Sequence, residues 1–168
     1  WSATRAESFA ADVHGRDHLT EAAIALDKDA RITAIKVNTL ANLGAYLSPF
    51  GSLVPTYNYA MMLVGPYSIP NVFADVTGVY TNTSPVDAYR GAGRPEATFV
   101  VETLIDNAAN ELGLDPGELR SRNLVQPEQI PYQTPTGLLF DSGDFQAHFE
   151  KALERAQYFS FKERQQES

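Results

Sequence analysis

Apolar and polar positions follow period two in the first half of this chain and period three to four in the second. Residues 19–26 alternate and then turn apolar, which predicts a strand; Asp27-Lys28-Asp29-Ala30 then supplies turn residues, with Asp27 and Asp29 in structural roles flanking the turn. Ile35, Val37, Thr39, Ala41, Leu43 and Ala45 recur at every second position within 31–45, predicting a long strand that closes a hairpin with the first. Prolines and glycines between Ser48 and Pro70 predict an irregular or partly helical connection. Val72, Ala74, Val76, Gly78 and Tyr80 alternate with their neighbours and mark a third strand over 72–80.

Helical spacing then takes over. Pro95 suits a first helical position, and Glu96 favours the positive helix start. Ala97, Val100, Val101, Leu104, Ile105, Ala108 and Leu112 form one apolar face of a helix over 96–112, with Gly113 as a left-handed cap and Leu114 placed for its apolar contact. Asp115-Pro116-Gly117-Glu118 reads as an aspartate capping box opening a short helix that ends near Asn123. Residues 126–143 read as a loop. A last helix begins after Ser142 or Asp144, with Phe145, Phe149, Ala152, Leu153 and Ala156 as its buried stripe, and the polar residues 161–168 are expected to fray. Strands first and helices later predict an α+β fold: a small antiparallel or mixed sheet with helices packed on one face.

Composition narrows the function classes. With 43% apolar and 20% charged residues in 168, the chain is ordinary globular material, of about one domain. No apolar run approaches a membrane span, the longest ending at Gly65-Pro66. The start, Trp1-Ser2-Ala3-Thr4-Arg5, has neither an initiator Met nor a signal-peptide pattern, so a processed or excised piece of a cytoplasmic protein is expected. The absence of cysteine excludes disulfides, cysteine-ligated metal and a thiol nucleophile within these residues. A net charge of −8 argues against nucleic-acid partners. The distribution of charge says more. No charged residue occurs between Lys36 and Asp75, although six aromatic residues lie there, and no Lys or Arg occurs between Lys36 and Arg90. Such a stretch is either a buried strand pair with an apolar loop or a face made for contact, and the second alternative implies self-association when it is left uncovered.

Among candidate chemical groups, His14 and His18 are four apart but lack a third ligand and read as surface or loop histidines; no metal ligands are assigned. One segment stands apart, Asn82 to Glu96. It links a strand to the best helix, carries Gly91 and Gly93 for close backbone approach, and supplies Arg90 and Arg94 at a helix start suited to anions. A purely structural loop, with Arg90 paired to Asp87 or Glu96, is the alternative.

The run Ala88-Tyr89-Arg90-Gly91-Ala92-Gly93-Arg94-Pro95-Glu96-Ala97 resembles the active-site loop of the large, molybdenum-binding subunit of the xanthine dehydrogenase and aldehyde oxidase family. Leu114 to Asn123 is similar to that family's helix ending in Arg-x-x-Asn; Gln126 to Tyr132 with Asp141 to Phe145 is similar to its carbon monoxide dehydrogenase branch; Trp1 to Phe9 and Tyr67 to Val72 also resemble family segments. The resemblance implies that residues 1–160 are a fragment of a larger molybdopterin-binding domain. It implies oxidative hydroxylation of an organic substrate, with electrons passed to an iron–sulfur small subunit and a flavin medium subunit. It implies Arg90 as a catalytic residue and Ala88, Tyr89, Arg90, Gly91 and Ala92 as cofactor-binding. The cofactor would be molybdopterin, with or without a cytosine nucleotide, held only with the rest of the large subunit, so that these residues alone would bind none and be inactive. The carbon monoxide branch carries a cysteine directly after the arginine that matches Arg90, and it holds copper; Gly91 stands there in this chain, so no copper is expected. Purine-oxidising members carry a second arginine ahead of the Tyr67–Val72 stretch, where residues 37–66 have none, which leaves an aldehyde or small heterocycle as the substrate class. The reading from a different class is an independent α+β structural or binding module without catalysis.

Overall fold

A computed structural model describes residues 1–161, so the predicted frayed tail lies, from residue 162 on, outside the described residues. The described elements are helix α1 (Arg5–Ala11), strands β1 (His18–Leu26) and β2 (Ile32–Gly44), helix α2 (Tyr59–Met61), strand β3 (Val72–Tyr80), helices α3 (Arg94–Leu112) and α4 (Pro116–Asn123), the short strands β4 (Tyr132–Gln133) and β5 (Leu139–Phe140), and helix α5 (Phe145–Arg155).

The predicted hairpin forms. β1 pairs antiparallel with β2 (Ala22 opposite Val37, Ile24 opposite Ile35), and β3 joins the other edge of β2 in parallel, giving a mixed sheet ordered β1-β2-β3. The Asp27 carboxylate accepts from the Asp29 and Arg31 N–H groups and closes the turn, its predicted structural role. One face of β2 is buried as its period requires: Ile35, Val37, Thr39, Ala41 and Leu43. Ala45 falls outside, because the strand ends at Gly44 and Ala45 is exposed. Against this face α3 lays Ala97, Val101, Ile105, Ala108 and Ala109, with Val100 and Leu104 at the margin; Tyr59, Leu63, Val64, Tyr67 and Ile69 fill the remainder from the connection before β3. That connection is partly helical, a wide turn over Leu53–Asn58 running into α2.

The helix ends differ from the sequence reading in detail. α3 starts at Arg94, two residues ahead of the predicted 96, with Gly93 as its N-cap and Pro95 within the first turn; Gly113 caps its end at φ +66° and Leu114 packs on the core as expected. Leu112, predicted buried, is exposed at the end of α3, where Ala108 and Ala109 take the buried side instead. Asp115 accepts from the Glu118 N–H at 3.0 Å, but the reciprocal half of the capping box is absent: Glu118 turns to form an ion pair with Arg122. α5 is capped by Asp144, whose carboxylate accepts from the Ala147 N–H; Phe145, Phe149 and Leu153 are half-buried, whereas Ala152 and Ala156 are exposed, so the stripe is narrower than predicted. The region 126–143 holds a single 3₁₀ turn and the small β4-β5 ladder, which its short extent hid from periodicity. α1 was not expected, although Thr4 and Glu7 form a full capping box there.

Two polar clamps hold the helical layer. The buried Asn123 accepts from the Ile32 N–H at 2.8 Å and donates to the Ala30 and Leu119 carbonyls at 3.0 and 2.9 Å, tying the end of α4 to the hairpin turn. Arg120 donates to Glu102 at 2.7 Å and to Asp106 at 2.8 Å, and Glu102 accepts from the Tyr67 hydroxyl. Burial works against the Arg120 charge, but its carboxylate partners outweigh it and raise the pKa; burial and the Glu102 carboxylate together push the Tyr67 hydroxyl up. Arg120 and Asn123 are the outer residues of the Arg-x-x-Asn pattern, whose work here is structural.

Candidate active-site loop

The segment from Asn82 to Gly93 leaves the end of β3, runs past the end of β2 and enters α3. Its first part is fixed by backbone pairing: the Ala45 N–H donates to the Thr83 carbonyl at 3.0 Å and the Val86 N–H to the Leu43 carbonyl at 3.3 Å. Asn42 donates to both Asp17 and Thr83, so the end of β2 anchors the loop on both sides.

Residues 91 to 93 take three successive positive φ angles, +101°, +47° and +92°. Glycine occupies the first and third. A Cβ on Gly93 would stand 2.7 Å from the Tyr59 nitrogen and 2.9 Å from the Val54 carbonyl, and one on Gly91 would stand 2.6 Å from the Pro95 ring. Ala92 holds the conformation without that freedom, a local strain fixed by the Ala92 N–H bond to the Tyr89 carbonyl (2.8 Å) and the Arg94 N–H bond to the Gly91 carbonyl (3.1 Å).

Ala88, Tyr89 and Arg90 are exposed, and Gly91 and Ala92 half-buried, so the structure gathers all five predicted site residues on one turn. The predicted structural alternative for Arg90 is not formed. Asp87 accepts from the Ala88 N–H, Glu96 pairs with Arg16, and among the described residues the Arg90 guanidinium has no protein partner. Nor, among the described residues, do the N–H groups of Tyr89, Arg90 and Gly91 bond a protein acceptor. The loop therefore offers unpaired donors: the backbone N–H groups of Tyr89, Arg90 and Gly91 and the Arg90 guanidinium. No three His, Cys, Asp or Glu side chains converge among the described residues. Such a donor set suits a group that arrives with its own acceptor atoms.

Two residues beside the loop escaped the sequence reading. Arg16 lies against Tyr89, Arg90 and Glu96. His18, read as a surface or loop histidine, is the first residue of β1; its ring meets Tyr59 edge-on at 4.7 Å, and both its nitrogens are buried without a hydrogen bond. Burial lowers its pKa, opposed in part by Glu96, the Pro55 carbonyl and Asp17. Arg16, His18 and Glu96 form the polar end of an open cleft of about 640 Å³ between β1 and α3, whose remaining walls include Leu19, Phe99 and Leu104. His14 and His148 are exposed. No local signal marks Arg16, since it is joined to the loop across 74 positions of sequence.

Comparison with known proteins identifies the family of the chain. The sequence pattern of the molybdopterin cofactor-binding domain matches residues 1–124. The chain is 37% identical over 163 residues to the 6-hydroxypseudooxynicotine dehydrogenase complex subunit gamma of Paenarthrobacter nicotinovorans, covering 94% of this chain and 20% of that protein. Its structure superposes on quinoline 2-oxidoreductase from Pseudomonas putida 86 with a TM-score of 0.93 at 33% identity, over 99% of this chain and 21% of the other. It superposes on the Cu,Mo-CO dehydrogenase with a TM-score of 0.88 at 32% identity, again over 99% and 21%. The chain thus spans about a fifth of the length of the relatives it matches.

Proposed function

The chain belongs to the molybdopterin cofactor-binding domain family, and from that premise we propose that it builds one wall of the active site in the large subunit of a molybdenum hydroxylase. The substrate class we assign is an aldehyde or a small heterocycle, and the compartment the cytoplasm. The observation that carries the reading is the turn Ala88–Gly93 with its three unpaired N–H groups and free Arg90 guanidinium, within the matched part of the chain.

The cofactor, when bound, supplies the redox chemistry, and electrons leave through iron–sulfur and flavin centres on partner subunits. The residues of this chain bind and orient. The Tyr89, Arg90 and Gly91 N–H groups are the donors that would hold oxygen and sulfur ligands of the cofactor. Arg90 offers a planar, permanently charged fork for negative charge that develops on bound substrate, and a fixed donor of that kind lowers a barrier most when water is excluded. Gly91 brings no side chain and no thiolate, which leaves room for an organic substrate and supports molybdenum without copper.

In the complete enzyme complex, Arg90→Ala is expected to lower turnover at least about tenfold, equivalent to roughly 1.4 kcal/mol of transition-state stabilisation. Arg90→Lys should recover only part of it, because a point charge does not reproduce the fork. Metal analysis of the same preparation should find molybdenum and no stoichiometric copper. An Arg90→Ala enzyme with unchanged turnover, or one copper per molybdenum, overturns the reading.

A further inference from the structure

The Ala88–Gly93 turn is backed by residues far upstream. His14 meets Val86 in a short parallel bridge: its N–H donates to the Pro85 carbonyl at 2.9 Å, and its carbonyl accepts from the Asp87 N–H at 2.8 Å. Two residues on, the backbone turns through φ +63° at Arg16, a conformation uncommon for a long L side chain. The turn brings one guanidinium to three groups. Nη2 donates to the Arg90 carbonyl at 2.5 Å. The guanidinium carbon lies 4.5 Å from the centroid of the Tyr89 ring. Nε stands 3.7 Å from Glu96 Oε1, in the first turn of α3, where the Glu96 side chain is 12% exposed. Arg16 therefore spans the glycine turn from Tyr89-Arg90 on one side to Glu96 on the other. Gly91 and Gly93 give that turn its conformational freedom, and a cross-link between its two ends removes it.

We propose that Arg16 is the positioning residue of the loop: its guanidinium fixes the Arg90 carbonyl and the Tyr89 ring against the start of α3, and so sets the direction in which Arg90 and the free N–H groups point. This rests on the reading of the loop as cofactor-facing. Lysine cannot replace it in full. An ammonium answers the Glu96 charge but does not lie flat on Tyr89 while donating to the Arg90 carbonyl.

The test compares Arg16→Gln, Arg16→Lys and Arg90→Ala with the unaltered enzyme in the complete, cofactor-loaded complex. Three readouts are taken: amide hydrogen exchange of a peptide over residues 88–93, molybdenum content, and kcat and KM. Arg16→Gln is expected to speed exchange of the loop at least about tenfold, with residues 119–125 unchanged as the internal control. Molybdenum content should hold, and kcat should fall about tenfold or more while KM shifts less than about twofold. Arg16→Lys should lie between, and guanidinium ion added to Arg16→Gln should restore part of kcat. Loop exchange at the unaltered rate in both Arg16 variants overturns the proposal, as does equal loosening of residues 119–125, which marks a general structural role. If Arg16→Gln does not accumulate, Arg16→Lys carries the same comparison. Arg90→Ala separates the two claims: normal turnover there with a loosened loop in Arg16→Gln retains the positioning role and overturns the functional reading.

Discussion

His18 sits on the inner face of the sheet with its ring against Tyr59 and both nitrogens shut away from water. A charged imidazole is disfavoured there, so its pKa in the fold lies below the ordinary 6.5. The sign of the consequence is fixed by linkage. Below about pH 6.5 the unfolded chain takes up the proton and the fold does not, so stability falls as pH drops through 6.5 and levels off once the folded pKa is passed. Glu96 and Asp17 oppose burial and shorten that window. Urea midpoints measured from pH 7.5 to 5.5 should therefore fall, and His18→Phe, which keeps a ring against Tyr59, should flatten the decline. Parallel pH profiles for the two proteins would refute the assignment. Nothing local to His18 in the sequence shows this burial. It follows from the Arg16 turn and from the register that sets His18 opposite Ala41. Arg16 itself was unreadable for the same reason, whereas Arg90 and its glycines were legible because loop, charge and helix start are adjacent in sequence.

At the scale of elements, the hairpin, β3 and α3 are legible because each repeats its apolar positions for long enough to define a period, and α4 because Asp115-Pro116 marks its start after the Gly113 cap. α1 failed that test: it buries no residue, so it has no stripe, although the Thr4-x-x-Glu7 capping box was there to be read. Parallel pairing of β3 with β2 is likewise a tertiary outcome. What joins the elements is polar, and Asn123 is its sharpest point. One carboxamide bonds the Ile32 N–H and the Ala30 and Leu119 carbonyls while only 3% exposed. Asn123→Ala leaves a buried N–H and a buried carbonyl of the hairpin unpaired, each worth about 1–3 kcal/mol, so a loss of roughly 2–6 kcal/mol is expected in urea unfolding, at an unchanged m-value. Asn123→Asp keeps the acceptor for Ile32, loses both donors and buries a charge, and should be no milder. A loss under about 1 kcal/mol for Asn123→Ala would mean that water or backbone adjustment replaces the clamp.

The whole molecule carries its helices on one face of the sheet and leaves the other bare. Leu19 and Leu40 are cross-strand neighbours there, and Phe73 stands beside Lys36, all exposed; Tyr46, Leu47, Phe50, Leu53 and Tyr57 are exposed between β2 and α2. The uncharged stretch of residues 37–74 thus serves both ends set out for it. Val37, Ala41, Leu43, Tyr59, Leu63 and Val64 are among its buried residues, and its exposed residues form a surface that a free-standing module of this size would normally dot with charge. Among the described residues no helix is long and apolar enough to cross a membrane. With relatives about five times as long, the reading that fits is a surface made for contact with more protein. Burial of apolar area stabilises by roughly 25 cal/mol per Å², and a lasting interface needs on the order of 1,000 Å² or more. Residues 1–168 alone should therefore associate with themselves as concentration rises, and weight-average mass in sedimentation equilibrium should climb above the 18.4 kDa of one chain. Leu40→Lys with Phe73→Lys, both on the bare face and away from the core, should shift that rise to higher concentration without altering the far-ultraviolet spectrum. A single species of monomer mass at every concentration, or a double variant that associates as readily as the original, would show that the bare face is not what drives contact.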